Sequence, residues 1–199
     1  MPEIVFRYSR PYDLHWDEWK KQQPNISQRE LLERDAVLEV VNEVEDNWRI
    51  TEVDVFNEIS KILELDWQEE IIPCYIVSNA RALSDPLTIG INERKPERLI
   101  ETLLHELTHR IFIQEGNREK TRKSWEQIEN KYPDQNKITH IHIICFSLLK
   151  NLYLKFLDQE RLMEEIKRCE KNDEYRKAWE AVARKDHAEI IREFKEHYR

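Results

Sequence analysis

The pattern of hydrophobic and polar residues predicts two amphipathic helices in the first third of the chain. Ser27 and Glu30 have the spacing of a capping box ahead of a helix that we expect to end near Asp46-Asn47. Thr51 and Asp54 open the second helix. In both segments the apolar residues recur at helical intervals, at Leu31, Leu32, Val37, Leu38, Val41 and Val44 and then at Val55, Phe56, Ile59, Ile62 and Leu63.

Residues 71–91 change to a pattern that is typical of strands. The runs 71–77 and 87–91 are short and apolar, and a loop that contains Asp85-Pro86 separates them. We expect a small sheet in which 87–91 is an edge strand.

A longer helix is predicted over about 96–115. Asn92 is suited to cap it, Pro96 fits its first turn, and Gly116 followed by Asn117 is typical of a helix end. Successive residues of a helix are turned by about 100°, so its apolar side chains fall on one arc and the opposite side is polar. The apolar arc consists of Ile100, Leu103, Leu104, Leu107 and Ile111.

The rest of the chain is predicted to be helical. The charged stretch 115–132 favours a solvated helix over a mobile cover, and 138–157 and 158–199 have the apolar faces of further helices. The predicted fold class is therefore α+β, mostly helical with a small sheet, and 199 residues fit a single domain. We expect its core at about 71–157, with helical flanks at 1–70 and 158–199.

Composition excludes several classes of protein. With Gly90 and Gly116 as its only glycines, the chain lacks the P-loop and the dinucleotide-binding fingerprint, which both need glycine-rich turns. A formal net charge of -8 argues against binding to nucleic acid, and no stretch resembles a signal peptide or a membrane span. Cys74, Cys145 and Cys169 form no close pair, which is typical of reduced thiols. We expect a soluble cytoplasmic protein with no membrane partner.

The polar side of the 96–115 helix carries His105, Glu106 and His109, which form the pattern H-E-x-x-H. Histidines four residues apart lie one turn apart on the same face of a helix, so both imidazoles can bind one metal ion. A catalytic zinc ion has three protein ligands and one open position. The motif therefore predicts a metal site that takes its third ligand from elsewhere in the chain.

His142 is our first choice for that third ligand. It lies on the apolar face of its predicted helix, where a buried imidazole needs a polar partner such as a metal ion. The alternative is a structural histidine bonded to the backbone. His140 ranks second, and Glu129 or Glu126 third. Cys145 also competes, although a buried thiol in an apolar helix is usually inert.

The stretch 87–116, a strand followed by the H-E-x-x-H helix, resembles the zincin metallopeptidases in a minimal, single-domain form. The metzincin branch would have a glycine at position 112 and a histidine at position 115, where this chain has Phe112 and Glu115. A downstream histidine ligand is similar to the SprT-type metallopeptidases, and a downstream glutamate ligand is similar to the gluzincins. The candidate third ligands of this chain include both types of residue, so its sequence is compatible with both branches.

This resemblance implies a zinc ion bound by His105, His109 and His142, with Glu106 as the general base that takes a proton from water. It also implies that the active-site helix packs under the sheet. The edge strand, here 87–91, would line the substrate cleft and pair with an extended peptide.

We therefore expect a hydrolase, a zinc metallopeptidase that acts on a peptide or protein substrate. The alternative is a non-catalytic interaction or regulatory protein that retains the zincin scaffold. Glu106 favours the enzyme, because a structural zinc site usually has four protein ligands and needs no base.

Overall fold

A computed structural model describes residues 1–23, 31–91 and 95–198. These residues form a mostly helical α+β fold with a small mixed sheet, which confirms the predicted fold class. The strands in them are β1 (Glu3–Arg7), β2 (Ile71–Val77), β3 (Leu83–Ser84) and β4 (Leu87–Gly90). The helices in them are α1 (Arg10–Lys21), α2 (Arg34–Arg49), α3 (Glu52–Leu63), α4 (Pro96–Ile113), α5 (Glu115–Lys131), α6 (Lys137–Phe156), α7 (Gln159–Cys169), α8 (Asp173–Arg184) and α9 (His187–Lys195).

Contacts divide the chain into two compact units. The first contains Met1–Val53 and Glu69–Arg110, and therefore the sheet, α1, α2 and most of α4. The second contains Asp54–Gln68 and Ile111–Arg199, and therefore most of α3 and the helices α5 to α9. Among the described residues, no helix is both long enough and apolar enough to cross a membrane.

The sheet of the first unit has the strand order β1-β2-β4-β3, in which β1, β2 and β4 run parallel. β2 and β4 confirm the two predicted strands. β1 is an addition, because it lies in a segment that we expected to be a helical flank. Ile4 and Phe6 are buried while Glu3 and Arg7 are exposed, so β1 has the alternation of a strand over only five residues.

The prediction that 87–91 is an edge strand is wrong. β4 lies between β2 and β3, because the turn at Asp85-Pro86 folds β3 back against it in antiparallel orientation. Leu83 pairs with Thr88, and Ser84 pairs with Leu87. A partner strand of only two residues has no recognisable pattern in the sequence, and it is enough to cover the first half of β4.

The buried carboxylate of Glu52 closes the outer edge of β1. Its Oε1 accepts hydrogen bonds from the backbone N–H of Ile4 at 2.7 Å and from Trp48 Nε1 at 2.8 Å. Its Oε2 accepts a hydrogen bond from Arg49 at 2.6 Å. An edge N–H that already has a partner is not available to a strand from another molecule, so Glu52 protects this edge of the sheet.

Of the helices of the first unit, α1 was not predicted, whereas α2 and α4 agree with predicted helices except at their ends. α2 begins at Arg34, after the predicted Leu31 and Leu32, and continues to Arg49, beyond the expected end near Asp46-Asn47. Of its predicted apolar face, Val37, Val41 and Val44 are buried and Leu38 is half-buried. The predicted capping box of Ser27 and Glu30 and the predicted cap Asn92 lie outside the described residues.

The predicted end of α4 at Gly116 and Asn117 is wrong, because both residues lie in the first turn of α5. Gly116 permits a close approach instead, since a Cβ atom there would lie 2.4 Å from Gln68 Nε2. The backbone N–H of Gly116 donates to Gln68 Oε1 at 3.2 Å. Asn117 Nδ2 donates to the carbonyl of Ile111 at 2.9 Å and so satisfies one of the last carbonyls of α4.

The second unit confirms the helices predicted after residue 115. α5 is a solvated helix, as expected, and α6 is largely buried. The side chain of Asn136 caps α6 by accepting a hydrogen bond from the backbone N–H of Thr139 at 3.0 Å. α7, α8 and α9 are amphipathic and bury one face each, as predicted for 158–199.

Candidate metal centre

α4 presents the three residues of the H-E-x-x-H motif. Pro96 occupies its first position, and Leu103, Leu107 and Ile111 are fully buried along the opposite arc. His105 and His109 are half-buried, one turn apart on the other side. The amphipathic pattern therefore sets the rotation of the helix, and the rotation sets where the two imidazoles lie.

The two imidazoles of α4 converge. His105 Nε2 and His109 Nε2 lie 3.1 Å apart, with ring centroids separated by 5.0 Å. Two Zn–N bonds of about 2.0–2.1 Å at a tetrahedral angle place their nitrogens about 3.3–3.4 Å apart, so the observed separation suits a shared zinc ion. The same separation also allows one imidazole to donate a hydrogen bond to the other.

Glu106 follows His105 in the chain and is buried, with 8% of its surface exposed. Burial raises the pKa of the Glu106 carboxyl to about 8, because transfer out of water disfavours the charged form. A general base is most effective when its pKa lies near the working pH. The environment of Glu106 therefore suits a group that takes up and releases a proton near neutral pH.

Arg110 fixes α4 within the first unit, and no pattern in the sequence indicates this role. Its guanidinium is buried and makes a bidentate ion pair with Glu69, at 2.9 Å from Nε and 2.5 Å from Nη2. Its Nη1 donates to the carbonyl of Ser84 at the end of β3, at 2.5 Å. The residue after His109 thus ties the motif helix to the hairpin of β3 and β4, although nothing in its spacing could have predicted this.

His142 lies on α6 with 7% of its surface exposed. Its Nδ1 lies 2.7 Å from the carbonyl of Ile138. A carbonyl oxygen only accepts, so Nδ1 carries the proton and donates, which makes Nε2 the nitrogen with a lone pair in the neutral ring. Burial also lowers the pKa of His142, and this favours the neutral form that binds metals.

His105 and His109 belong to the first unit and His142 to the second, so their assignment as ligands of one metal ion stays a prediction. Two of the three lie on α4 and one lies on α6. A donor set of neutral imidazoles is one that zinc commonly takes.

The competing third ligands have other roles or surroundings. His140 is as buried as His142, with 7% exposed, but its Nε2 donates to the carbonyl of Tyr132 at 2.8 Å. Glu126 is exposed and accepts a hydrogen bond from Arg122 at 2.8 Å. Glu129 is also exposed, and Cys145 is buried as a free thiol.

Comparisons with known proteins identify no relative of this chain. Protein-family models, curated proteins and solved structures were each compared with it, and none matches.

Proposed function

We propose that this protein is a zinc-dependent metallopeptidase that hydrolyses peptide bonds in a peptide or protein substrate. The observation that carries the proposal is the arrangement on α4. Two imidazole nitrogens lie 3.1 Å apart, and the buried carboxyl of Glu106 lies beside them in the chain. A helix with a purely structural role has no need to bring two imidazoles together and to carry a buried carboxyl directly after the first of them in the chain.

His105, His109 and His142 would hold the zinc ion, each through its Nε2 or Nδ1 atom. A bound zinc ion supplies Lewis acidity, which makes water more acidic and polarises the carbonyl of the scissile peptide bond. Glu106 accepts the proton of the attacking water and then donates it to the nitrogen of the leaving amine. Three protein ligands are the number that catalytic zinc sites have, and they would leave the ion able to bind water.

The hydrogen bond of His142 supports it as third ligand over His140. Metal-binding histidines usually donate their other ring nitrogen to a carbonyl or carboxylate, which fixes the tautomer and the ring orientation. His142 has this arrangement through Ile138, and its Nε2 is the nitrogen with the lone pair. His140 uses its own Nε2 for Tyr132, so that nitrogen is already engaged.

The first test is the zinc content and the chelator response of the unchanged protein. We expect about one zinc ion per chain by elemental analysis, consistent with one site of three histidines. We also expect hydrolysis of an unstructured substrate such as casein to stop after treatment with a chelator and to return with added zinc. Protein that binds no zinc, even when zinc is supplied, would contradict the proposal. Zinc binding without hydrolysis of casein or of a peptide library would favour the non-catalytic alternative.

We also propose that the protein resides in the cytoplasm. All three cysteines are free and buried, as expected in a reducing compartment. Cell fractionation measures this directly, and recovery of the protein outside the cytoplasmic fraction would contradict it.

A further inference from the structure

We propose that Tyr175 is a positioning residue for His142, and that its aromatic ring holds the imidazole in the orientation that binds the metal. This inference rests on the proposed function, because it gives His142 the role of third zinc ligand. Tyr175 lies on α8 and was not singled out in the sequence.

Tyr175 and Ile138 hold the imidazole in two different ways. The ring centroids of Tyr175 and His142 lie 4.3 Å apart, with an angle of 35° between the ring planes. His142 Nδ1 donates to the carbonyl of Ile138 at 2.7 Å. The hydrogen bond fixes one nitrogen of the ring, and the aromatic contact opposes rotation of the ring about that bond.

The contact between His142 and Tyr175 is one of two aromatic contacts between α6 and α8 that lie one helical turn apart. His142 and Phe146 are four residues apart on α6, and Tyr175 and Trp179 are four residues apart on α8. Phe146 stacks on Trp179 with centroids 4.5 Å apart and planes within 11°. Residues four apart lie on the same face of a helix, so both contacts lie in one interface between α6 and α8, which we call the seam. In the first contact the α6 residue is a histidine, and in the second it is a phenylalanine.

Hydrogen bonds at the start of α8 place Tyr175 beside His142. Asn172 caps α8 by accepting a hydrogen bond from the backbone N–H of Tyr175 at 2.9 Å. Thr139 Oγ1 donates to the backbone carbonyl of Glu174 at 3.3 Å, and Asn136 Nδ2 donates to its Oε1 at 3.3 Å. The first turns of α6 and α8 are thereby joined, and the tyrosine ring is brought beside the imidazole by ordinary capping interactions.

The test is the zinc affinity of the full chain, measured by competition with a chelator of known affinity. Tyr175→Leu removes the ring, and we expect zinc to bind about tenfold more weakly, since residues that orient metal ligands change metal affinity by about 10- to 100-fold. Tyr175→Phe keeps the ring and loses the hydroxyl, and its affinity should stay within about twofold of the unchanged protein.

Trp179→Leu is the matched control. It removes an aromatic ring from the same helix and the same seam, and Trp179 is more buried than Tyr175, so its structural cost is at least as large. We expect its zinc affinity to stay within about twofold of the unchanged protein, because Trp179 stacks on Phe146 rather than on His142.

Three results would overturn the inference. Unchanged affinity in Tyr175→Leu would show that the ring does not orient His142. An equal loss in Tyr175→Phe would assign the effect to the hydroxyl. An equal loss in Trp179→Leu would assign it to general packing of the seam.

A second measurement separates this inference from the proposed function. Nitrogen NMR of the histidine rings without added metal should show His142 protonated on Nδ1 in the unchanged protein and in Tyr175→Phe, and a mixture of tautomers in Tyr175→Leu. If the unchanged protein binds no zinc, the proposed function fails, and the tautomers still decide whether Tyr175 holds the ring. A single tautomer in Tyr175→Leu would overturn the inference even if zinc binds.

Discussion

α4 and α6 each carry two histidines, but the two pairs have different geometry. His105 and His109 are four residues apart and bring their Nε2 atoms to within 3.1 Å of each other. His140 and His142 are two residues apart and donate to different carbonyls, those of Tyr132 and Ile138. Four-residue spacing places two side chains on one helical face, whereas two-residue spacing points them in different directions. Spacing alone is therefore enough to bring the two α4 imidazoles together. On α6, the orientation of each imidazole is instead set by its own hydrogen-bond partner.

Replacing both histidines of one helix should have the largest effect on zinc binding. His105→Ala with His109→Ala is expected to abolish saturable zinc binding, because no two imidazoles on one helical face are left to converge. His140→Ala with His142→Ala keeps the α4 pair and should bind zinc more than about 100-fold more weakly than the unchanged protein, since even residues that only orient ligands cost about 10- to 100-fold. Calorimetric titration with Zn²⁺ measures both variants, and equal binding by the two would remove the distinction between the helices.

The residue after the first histidine is the second difference, since it is Glu106 on α4 and Ile141 on α6. Glu106→Gln removes the proton acceptor, and we expect peptide hydrolysis to fall about 100- to 10,000-fold while zinc stays bound. Hydrolysis of casein at saturating zinc is the measurement.

Glu101→Gln is the control for Glu106→Gln. Glu101 is a second buried glutamate on α4, and it pairs with Arg98 at 2.6 Å. Its hydrolysis rate should stay within about threefold, because a residue outside the reacting groups has no proton to transfer. Full activity in Glu106→Gln, or an equal loss in both variants, would contradict the role of Glu106 as general base.

Single replacements on α6 test the roles of its two histidines separately. His142→Ala should weaken zinc binding by more than about 100-fold, and His140→Ala should leave it within about twofold, since we propose only His142 as a ligand. The pair is well matched, because both side chains are histidines with 7% of their surface exposed. Chelator competition measures both affinities. A loss in His140→Ala that equals the loss in His142→Ala would contradict the assignment of the third ligand.

The sequence predicted those parts of the fold that depend on local periodicity. The helices α2, α3 and α6 follow a predicted helical period, and β2 and β4 lie in the continuous apolar runs 71–77 and 87–91, so the structure confirms these predictions. β1 alternates apolar and polar residues over only five positions, and β3 has two residues, so neither contains a continuous apolar run or enough repeats to establish a period. The pairing of β3 with β4 is set by a turn, and for this reason the prediction of an edge strand was wrong.

In the metal centre, too, the residues that could be predicted follow a local period, and the missed residue depends on contacts between distant parts of the chain. The spacing of His105 and His109 predicted their approach, because both lie on one helix. Tyr175 lies beside His142 because its backbone N–H is bonded to the cap of α8 and because hydrogen bonds join Glu174 to the start of α6. Such contacts join residues that are distant in the chain, and no periodic pattern reports them.

The smallest expected effect is a change in stability at the histidine of α6 that we place outside the metal site. His140→Ala leaves the Tyr132 carbonyl without its imidazole donor and should lower the free energy of unfolding by about 1–2 kcal/mol. This loss should be the same with and without zinc, because zinc at 100 times its dissociation constant adds about 2.7 kcal/mol to the unchanged protein and to His140→Ala alike. Urea unfolding measured at both zinc concentrations tests this. A loss that appears only with zinc would mean that His140 contributes to metal binding, and the contrast between the two α6 histidines would then be wrong.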